Sequence, residues 1–238
     1  MLWQGPRPEI HSYRDARISV GAEVDTIDMI NPAIPKIEAG NGVGQALVFI
    51  RKVDPELSKP WDIPAPQVLA HDNLLHIRQI DRQVSAGIVR RGSEIELGST
   101  NAGVDLLRAE GSAFFTLAFP ENSQPLARAF DRAGVVEFSS AVARYWARAW
   151  LLVIDHPYAC ITDDAGRFTL SGVPAGTYEL VLWMPNWNVV KFDRDPELLR
   201  VSRVWHAAPL EKSTTVVVKR GERMQTNFGV GSNEFKSR

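Results

Sequence analysis

Few side chains in this sequence can bind a metal or attack a substrate: there are five histidines and one cysteine. His71 and His76 stand five positions apart. In a strand that odd spacing puts them on opposite faces, so they read as polar loop or surface residues. His156 precedes Pro157 and Tyr158 at a break after an apolar run, where it is expected to orient a domain junction through hydrogen bonds. His206 follows Trp205 and has neither Cys nor Met beside it. Cys160 lies in an apolar strand context that disfavours a thiolate. A lone cysteine forms no intrachain disulfide and no thiolate zinc site.

The carboxylates point the same way. Asp163 and Asp164 are adjacent, but calcium needs six or more convergent oxygens, so they read as turn formers. Glu121, Asp131 and Glu137 are too scattered to suggest a paired-carboxylate hydrolase. No Gly-x-Ser-x-Gly elbow, Walker loop, Rossmann fingerprint or His-Glu-x-x-His occurs. The expectation is therefore no enzyme, no catalytic residue, no metal ligand and no cofactor. Seven tryptophans remain. Trp146, Trp150 and Trp183 fall in predicted strands and read as core. Trp187 and Trp205 either cover a sheet face or present aromatic surface to a partner or a sugar.

Lys plus Arg is 27 and Asp plus Glu is 28, a net charge of −1, without the basic surplus of a nucleic-acid binder. Hydrophobic residues at 45% and charged residues at 23% describe a globular chain with a sizeable core. No apolar run is long enough for a transmembrane helix. Met1–Pro8 holds no apolar signal core, which leaves an internal location and export after cleavage both open.

The elements that must position these residues read as strands. Residues 1–36 form an extended arm broken by Pro6, Pro8, Pro32 and Pro35, with strand-like alternation only over Ala16–Ile27. Ala46–Arg51 is β-rich, and the four prolines from Pro55 to Pro66 make a loop. Val89–Leu97 reads as a hairpin turning at Arg91-Gly92-Ser93. Val135–Ser139 is a strand, and Trp150–Ile154 is apolar throughout, as in a strand buried on both faces. Leu74–Ile88 and Val142–Val153 also fit helical spacing, but β neighbours and short lengths favour strands.

The clearest local pattern is Thr162-Asp163-Asp164-Ala165-Gly166-Arg167-Phe168-Thr169-Leu170, continuing through Val173-Pro174-Ala175-Gly176-Thr177-Tyr178. Asp163–Gly166 makes a tight turn and Pro174–Gly176 a second. Phe168 and Leu170 share one face, as do Tyr178, Leu180 and Leu182, giving two hairpin-linked strands. This run resembles the carboxypeptidase regulatory-like, or transthyretin-like, β-sandwich family. The resemblance implies a non-catalytic folding or adaptor module with structural turn residues Asp163, Gly166, Pro174 and Gly176. It also implies closing strands at Thr214–Lys219 and Met224–Val230, with an insertion at Pro185–Lys212.

Upstream, Gly44–Phe49, Arg91–Leu97, Ala129–Phe138 and the junction Asp155–Tyr158 resemble a cupredoxin-like domain fused to such a module, as in methylamine-utilisation-like secreted proteins of planctomycete type. Copper-binding members place a His after the strand matching Glu94–Leu97, and Cys, His and Met after the strand matching Val135–Phe138. Here Ser99–Arg108 and Ser139–Arg148 contain none of these ligands, so a type-1 copper site is not expected.

The combined expectation is an all-β chain of two β-sandwich modules. Residues 1–36 form the arm and 37–155 a degenerate cupredoxin-like sandwich. Residues 156–230 form a carboxypeptidase regulatory-like sandwich with an insertion at 185–212, and 231–238 a tail. The expected role is a non-catalytic, periplasmic or secreted binding or assembly protein, an accessory or structural subunit of a larger complex or an oligomer. Its partner would be a protein and not a nucleic acid, with Trp3, Trp187 and Trp205 as anchors. The arm and the insertion would lie as extended chain on the other module or on a neighbouring subunit. The alternatives are a copper electron carrier with ligands rearranged from His71, His76, His156 and His206, and a carbohydrate-binding module using Trp187 and Trp205.

Overall fold

Strand Leu47–Ile50 is four consecutive apolar residues, and all four are buried. It lies between Ala159–Ile161 and Gly176–Met184, antiparallel to both, with Leu210–Val218 on the far side of Gly176–Met184. The computed structural model describes residues 1–10, 13–18, 24–29, 31–142, 144–197 and 201–235. Among the described residues there are strands and short 3-10 turns but no α-helix.

Between Ile50 and Ala159 the chain builds a complete β-sandwich. One sheet runs in the order Ala86–Arg90, Arg148–Ile154, Gly134–Ser140, Asp105–Gly111, Phe115–Phe119. The other runs Leu126–Ala129, Glu94–Ser99, Gln67–His71, Leu74–Gln79, Arg82–Val84. Val68, Ile77, Ile95, Leu97, Leu107, Phe130, Phe138, Leu151 and Val153 fill the space between them. Of the segments that also fit helical spacing, Leu74–Ile88 is three strands, whereas the described residues of Val142–Val153 are strand only from Arg148, so Trp146 lies in a turn, half-buried, instead of in a core strand. The range 37–155, expected as one module, therefore contributes Leu47–Ile50 to the sheet of the other.

Every residue of Arg148–Ile154 is buried. Ala149, Leu151 and Val153 face the sandwich core, while Trp150, Leu152 and Ile154 join Ala86, Ile88, Leu47 and Leu182 in the second core. From Ala149 to Ile154 the run is apolar throughout because both modules pack on it, one on each face.

Two expected hairpins are absent. Ala86–Arg90 pairs in parallel with Arg148–Ile154, whereas Glu94–Ser99 pairs with Gln67–His71 in the opposite sheet. The Arg91–Ser93 turn thus crosses between sheets. Residues 167–175 form no strand. The place beside Gly176–Met184 that the hairpin required is taken by Leu47–Ile50. Phe168, Leu170 and Tyr178 are half-buried against the core that Leu180 and Leu182 enter fully. Of the closing strands, Leu210–Val218 covers the first. Only Gly229–Val230 of the second pairs, in parallel with Leu2–Trp3. In the arm, Tyr13–Ile18 and Val24–Met29 are antiparallel strands. The middle of the expected Ala16–Ile27 strand lies outside the described residues.

The Asp163–Gly166 turn forms as expected. Gly166 N–H donates to Asp163 O at 2.8 Å, and Gly166 takes φ +73°. The Asp163 carboxylate accepts from Arg167 N at 2.8 Å and Arg167 Nε at 2.9 Å. Those bonds, the backbone one foremost, hold the Asp163 carboxyl below its ordinary pKa. The turn lies on the Gly42–Gly44 backbone: a Cβ on Gly166 would stand 2.1 Å from Met1 O and 2.8 Å from Val43 N. Thr162 adds its own clasp, donating from Oγ1 to Val43 O at 2.8 Å and accepting from Ala46 N at 3.0 Å. Gly176 lies under the Tyr178 phenol, 2.9 Å from the site of a Cβ, and Pro174 is half-buried beside it.

Gly166→Ala is expected to destabilise the chain by at least about 1–3 kcal/mol, from the left-handed backbone alone, in urea unfolding. Leu152→Ala, on the shared wall, is expected to cost about 2–5 kcal/mol. A loss well under 1 kcal/mol for Leu152→Ala would show that the wall is not packed on both sides.

Candidate functional site

The tryptophans expected to anchor a partner divide. Trp3 is buried and donates from Nε1 to Pro6 O at 3.0 Å. Trp187 is also buried, with ring centroids 6.1 Å from Trp3 and 4.0 Å from Phe235. Both rings therefore close the chain's own core and are not available to a partner or a sugar. Trp205 is half-exposed. Lys191 Nζ and Arg203 Cζ lie 4.5 Å and 4.4 Å from its ring centroid, cation–π contacts that orient the indole.

Trp205 belongs to an arm made by the insertion, an antiparallel pair of Val189–Arg194 and Val201–His206. The arm lies against the sandwich as a hairpin and not as extended chain, and the last residues of the expected 185–212 insertion, Leu210–Lys212, belong to a strand of the C-terminal sheet. Tyr145 packs with Val201 and Val204. Arg203 Nη2 donates to both Glu110 oxygens, at 2.7 and 3.0 Å. Arg148, almost wholly buried, donates to Glu137 and to the backbone carbonyl of Val204.

Between arm and sandwich lies a cleft of about 320 Å³. Glu110, Glu137 and Trp150 stand in one cross-strand row on its floor. Trp183, Asn186, Trp205 and His206 wall it. Trp150 Nε1 donates to Glu137 Oε2 at 3.3 Å. Burial, aided by the Arg148 charge, pushes the His206 imidazole down to about 3, so it is neutral near pH 7. Each carboxylate faces an arginine, and the lining is balanced in charge. Glu110 was not legible in the sequence as part of any site. The one available signal was its place opposite Glu137, which requires the strand register.

The two regions expected to lack copper ligands do meet. Asp105, buried, accepts from Arg144, Ser99 Oγ and Asn101 Nδ2, the last at 2.8 Å. A guanidinium and a carboxylate occupy that end of the sandwich. Of the described histidines, His71 and His76 share a face instead of the opposite faces expected, because the chain reverses between them and they stand on paired strands, Leu69 facing His76 and Leu74 facing His71. His71 contacts Thr100 Oγ1 at 2.8 Å and Asp72. His76, on the neighbouring strand, is half-buried, and desolvation lowers its pKa. His156 and His206 lie in different walls. No group of three or more His, Cys, Asp or Glu among the described residues could hold a metal ion. Cys160 is half-buried, and desolvation raises its thiol to about 12, which disfavours the thiolate near neutral pH. Asp164 pairs with Lys36 at 2.8 Å.

The junction residues do meet where the chain leaves and re-enters the C-terminal sheet. Tyr158 is fully buried; its O accepts from Ile50 N at 3.1 Å and its Oη from Lys59 N at 3.0 Å. The buried His156 accepts at Nδ1 from Tyr158 N at 3.4 Å, with the rings 5.6 Å apart, and burial lowers its pKa. Pro157 is buried between them.

No family model and no curated protein matches the chain. Among solved structures it is similar to a novel purple cupredoxin from Nitrosopumilus maritimus, at 10% identity and a TM-score of 0.29, over 38% of this chain and 99% of that one. A likeness at that TM-score says nothing of copper or activity.

Arg148→Met is expected to cost about 3–5 kcal/mol, because it strands Glu137 and the Val204 carbonyl beside a buried apolar group. It is also expected to raise amide exchange in residues 201–206. The neutral His206 sets a pH dependence. Its folded pKa is depressed, so the unfolded chain binds the proton first. Its contribution is complete above about 6.5 and is lost as pH falls towards about 3. His206→Asn is therefore expected to flatten the stability profile between those values, read as the difference between the two urea midpoints at each pH.

Proposed function

We propose that this chain is a non-catalytic, extracytoplasmic binding and assembly protein, an accessory subunit whose ligand seat is the cleft between the sandwich and the arm. In this reading the sandwich is a cupredoxin-like domain without copper, and the second module is of carboxypeptidase regulatory-like type. The location outside the cytoplasm rests on the resemblance to secreted proteins.

The observation that carries the reading is the pairing inside the cleft. Glu137 is held by Arg148 and Glu110 by Arg203, and His206 is kept neutral by burial. A general acid needs a proton to give, and a general base needs an uncommitted lone pair, near neutral pH. Carboxylates clamped by arginines favour neither, and an imidazole pushed down to about 3 has no proton to give near neutral pH and is a weak base. What remains is a charge-balanced cavity with tryptophan walls and an amide from Asn186. Its size is at the small end of the range for small-molecule sites. That chemistry suits an uncharged polar ligand with an apolar face, which keeps a saccharide among the candidates, with Trp205 as the ring it would meet.

Tryptophan emission, titrated with a panel of neutral mono- and disaccharides and neutral amides, is expected to change saturably with at least one member. The change should be lost in Trp205→Ala while the far-UV spectrum is kept. No response to any member, or an unaltered response in Trp205→Ala, would remove the cleft as the seat.

A further inference from the structure

Strand Leu210–Val218 is the open edge of the C-terminal sheet, hydrogen-bonded on one side only, to Gly176–Met184. It is long for an edge, nine residues, and ends in Val216-Val217-Val218. Edges of this kind are templates for another strand unless something blocks them. Here no proline, bulge or described segment pairs with the outer side.

The ladder fixes which backbone groups are free. Arg51 N–H donates to Glu179 O, so the odd-numbered residues of Gly176–Met184 bond towards Leu47–Ile50 and the even-numbered ones towards Leu210–Val218. Leu180 pairs with Thr214 and Leu182 with Lys212. In an antiparallel ladder bonding direction alternates residue by residue. The N–H and C=O groups of Ser213, Thr215 and Val217 therefore point outwards. Their side chains are exposed, Val217 at 56%.

We propose that this edge pairs with the same edge of a second copy of the chain, antiparallel about a twofold axis at Thr215, giving one continuous sheet through a dimer. The inference is independent of the ligand cleft. What selects a second copy is complementarity within the edge itself. An antiparallel pair centred on Thr215 puts Ser213 opposite Val217 and Thr215 opposite itself, joining outward-facing groups to outward-facing groups. The same register sets Glu211 of each copy opposite Lys219 of the other. Opposite charges facing each other across strands favour pairing, as do facing threonines. Moving the axis by one residue keeps the hydrogen-bonding parity but separates the charges. Glu211 now pairs with Arg51 at 2.5 Å and Lys219 with Glu222 at 3.7 Å. Both are exposed surface pairs, which hold their partners weakly. Such an interface is isologous, as a closed dimer requires.

Sedimentation equilibrium over a concentration series tests this with the whole chain. The unaltered protein is expected to dimerise. Thr215→Pro removes an outward N–H and leaves the inward ladder intact, a substitution edge strands tolerate, and should yield monomer with unchanged urea stability. Glu211→Lys and Lys219→Glu should each raise the dimer dissociation constant roughly tenfold or more, since both symmetry-related pairs become repulsive. The double exchange should restore dimerisation, a rescue that a merely destabilised fold would not show. A chain that stays monomeric at its highest soluble concentration overturns the proposal. So does a dimer indifferent to Thr215→Pro, or charge variants without rescue.

Discussion

The structure depends on where one four-residue strand goes. Leu47–Ile50 sits inside the C-terminal sheet, hydrogen-bonded on both sides. Its neighbour Ala159–Ile161 arrives only after the whole β-sandwich has been built. The sandwich is thus inserted into the second module instead of preceding it. The ends of the insertion must lie side by side, and Tyr158 is the residue that ties them, bonding Ile50 on one flank and Lys59 on the other. A buried aromatic with its hydroxyl satisfied suits that task, because an unpaired polar group at the joint would oppose burial. The Thr162–Gly166 turn closes the same module from the other side by gripping the backbone at Val43 and Ala46.

From that connectivity follows the shared wall. A domain inserted between adjacent strands cannot stand far from its host, and Arg148–Ile154 packs against both. The arm adds a second tie. Arg148, at the start of the same strand, reaches out of the sandwich to the Val204 carbonyl in the arm and to Glu137 beneath it. A buried guanidinium is tolerated only when its donors are met, so the arm's position and the burial of Arg148 support each other. The cleft lies between these ties, which accounts for polar pairs beside tryptophan rings at an otherwise apolar junction.

Much of the β architecture was legible from local pattern. The double-sided burial of Trp150–Ile154, the strand at Ala46–Arg51 and the Asp163–Gly166 turn all follow from residue types over a few positions. The candidate site was less so. Trp205 and His206 stood out as an aromatic and a possible ligand, but nothing in the chain joined them to Glu110, Glu137 or Arg148. Those residues come together through strand register and through an arm that crosses from one module to the other. Trp3 and Trp187 mislead for the same reason. They sit in irregular segments, where an aromatic reads as surface, yet the two rings and that of Phe235, from distant parts of the chain, bury one another.

The sequence by itself determined the β class, the strands at Leu47–Ile50, Gly134–Ser140 and Arg148–Ile154, the tight turn at Asp163–Gly166, and the balanced charge. Those properties are set by side-chain periodicity, turn stereochemistry and composition, all local. Tertiary structure alone decided which strand is whose neighbour. An apolar run satisfies its backbone equally well beside several partners, and the choice is made by packing of the whole. That is why Val89–Leu97 crosses between sheets instead of turning back. It is also why Phe168–Leu170 yields its place to Leu47–Ile50, and why a cleft forms between segments that the chain keeps far apart.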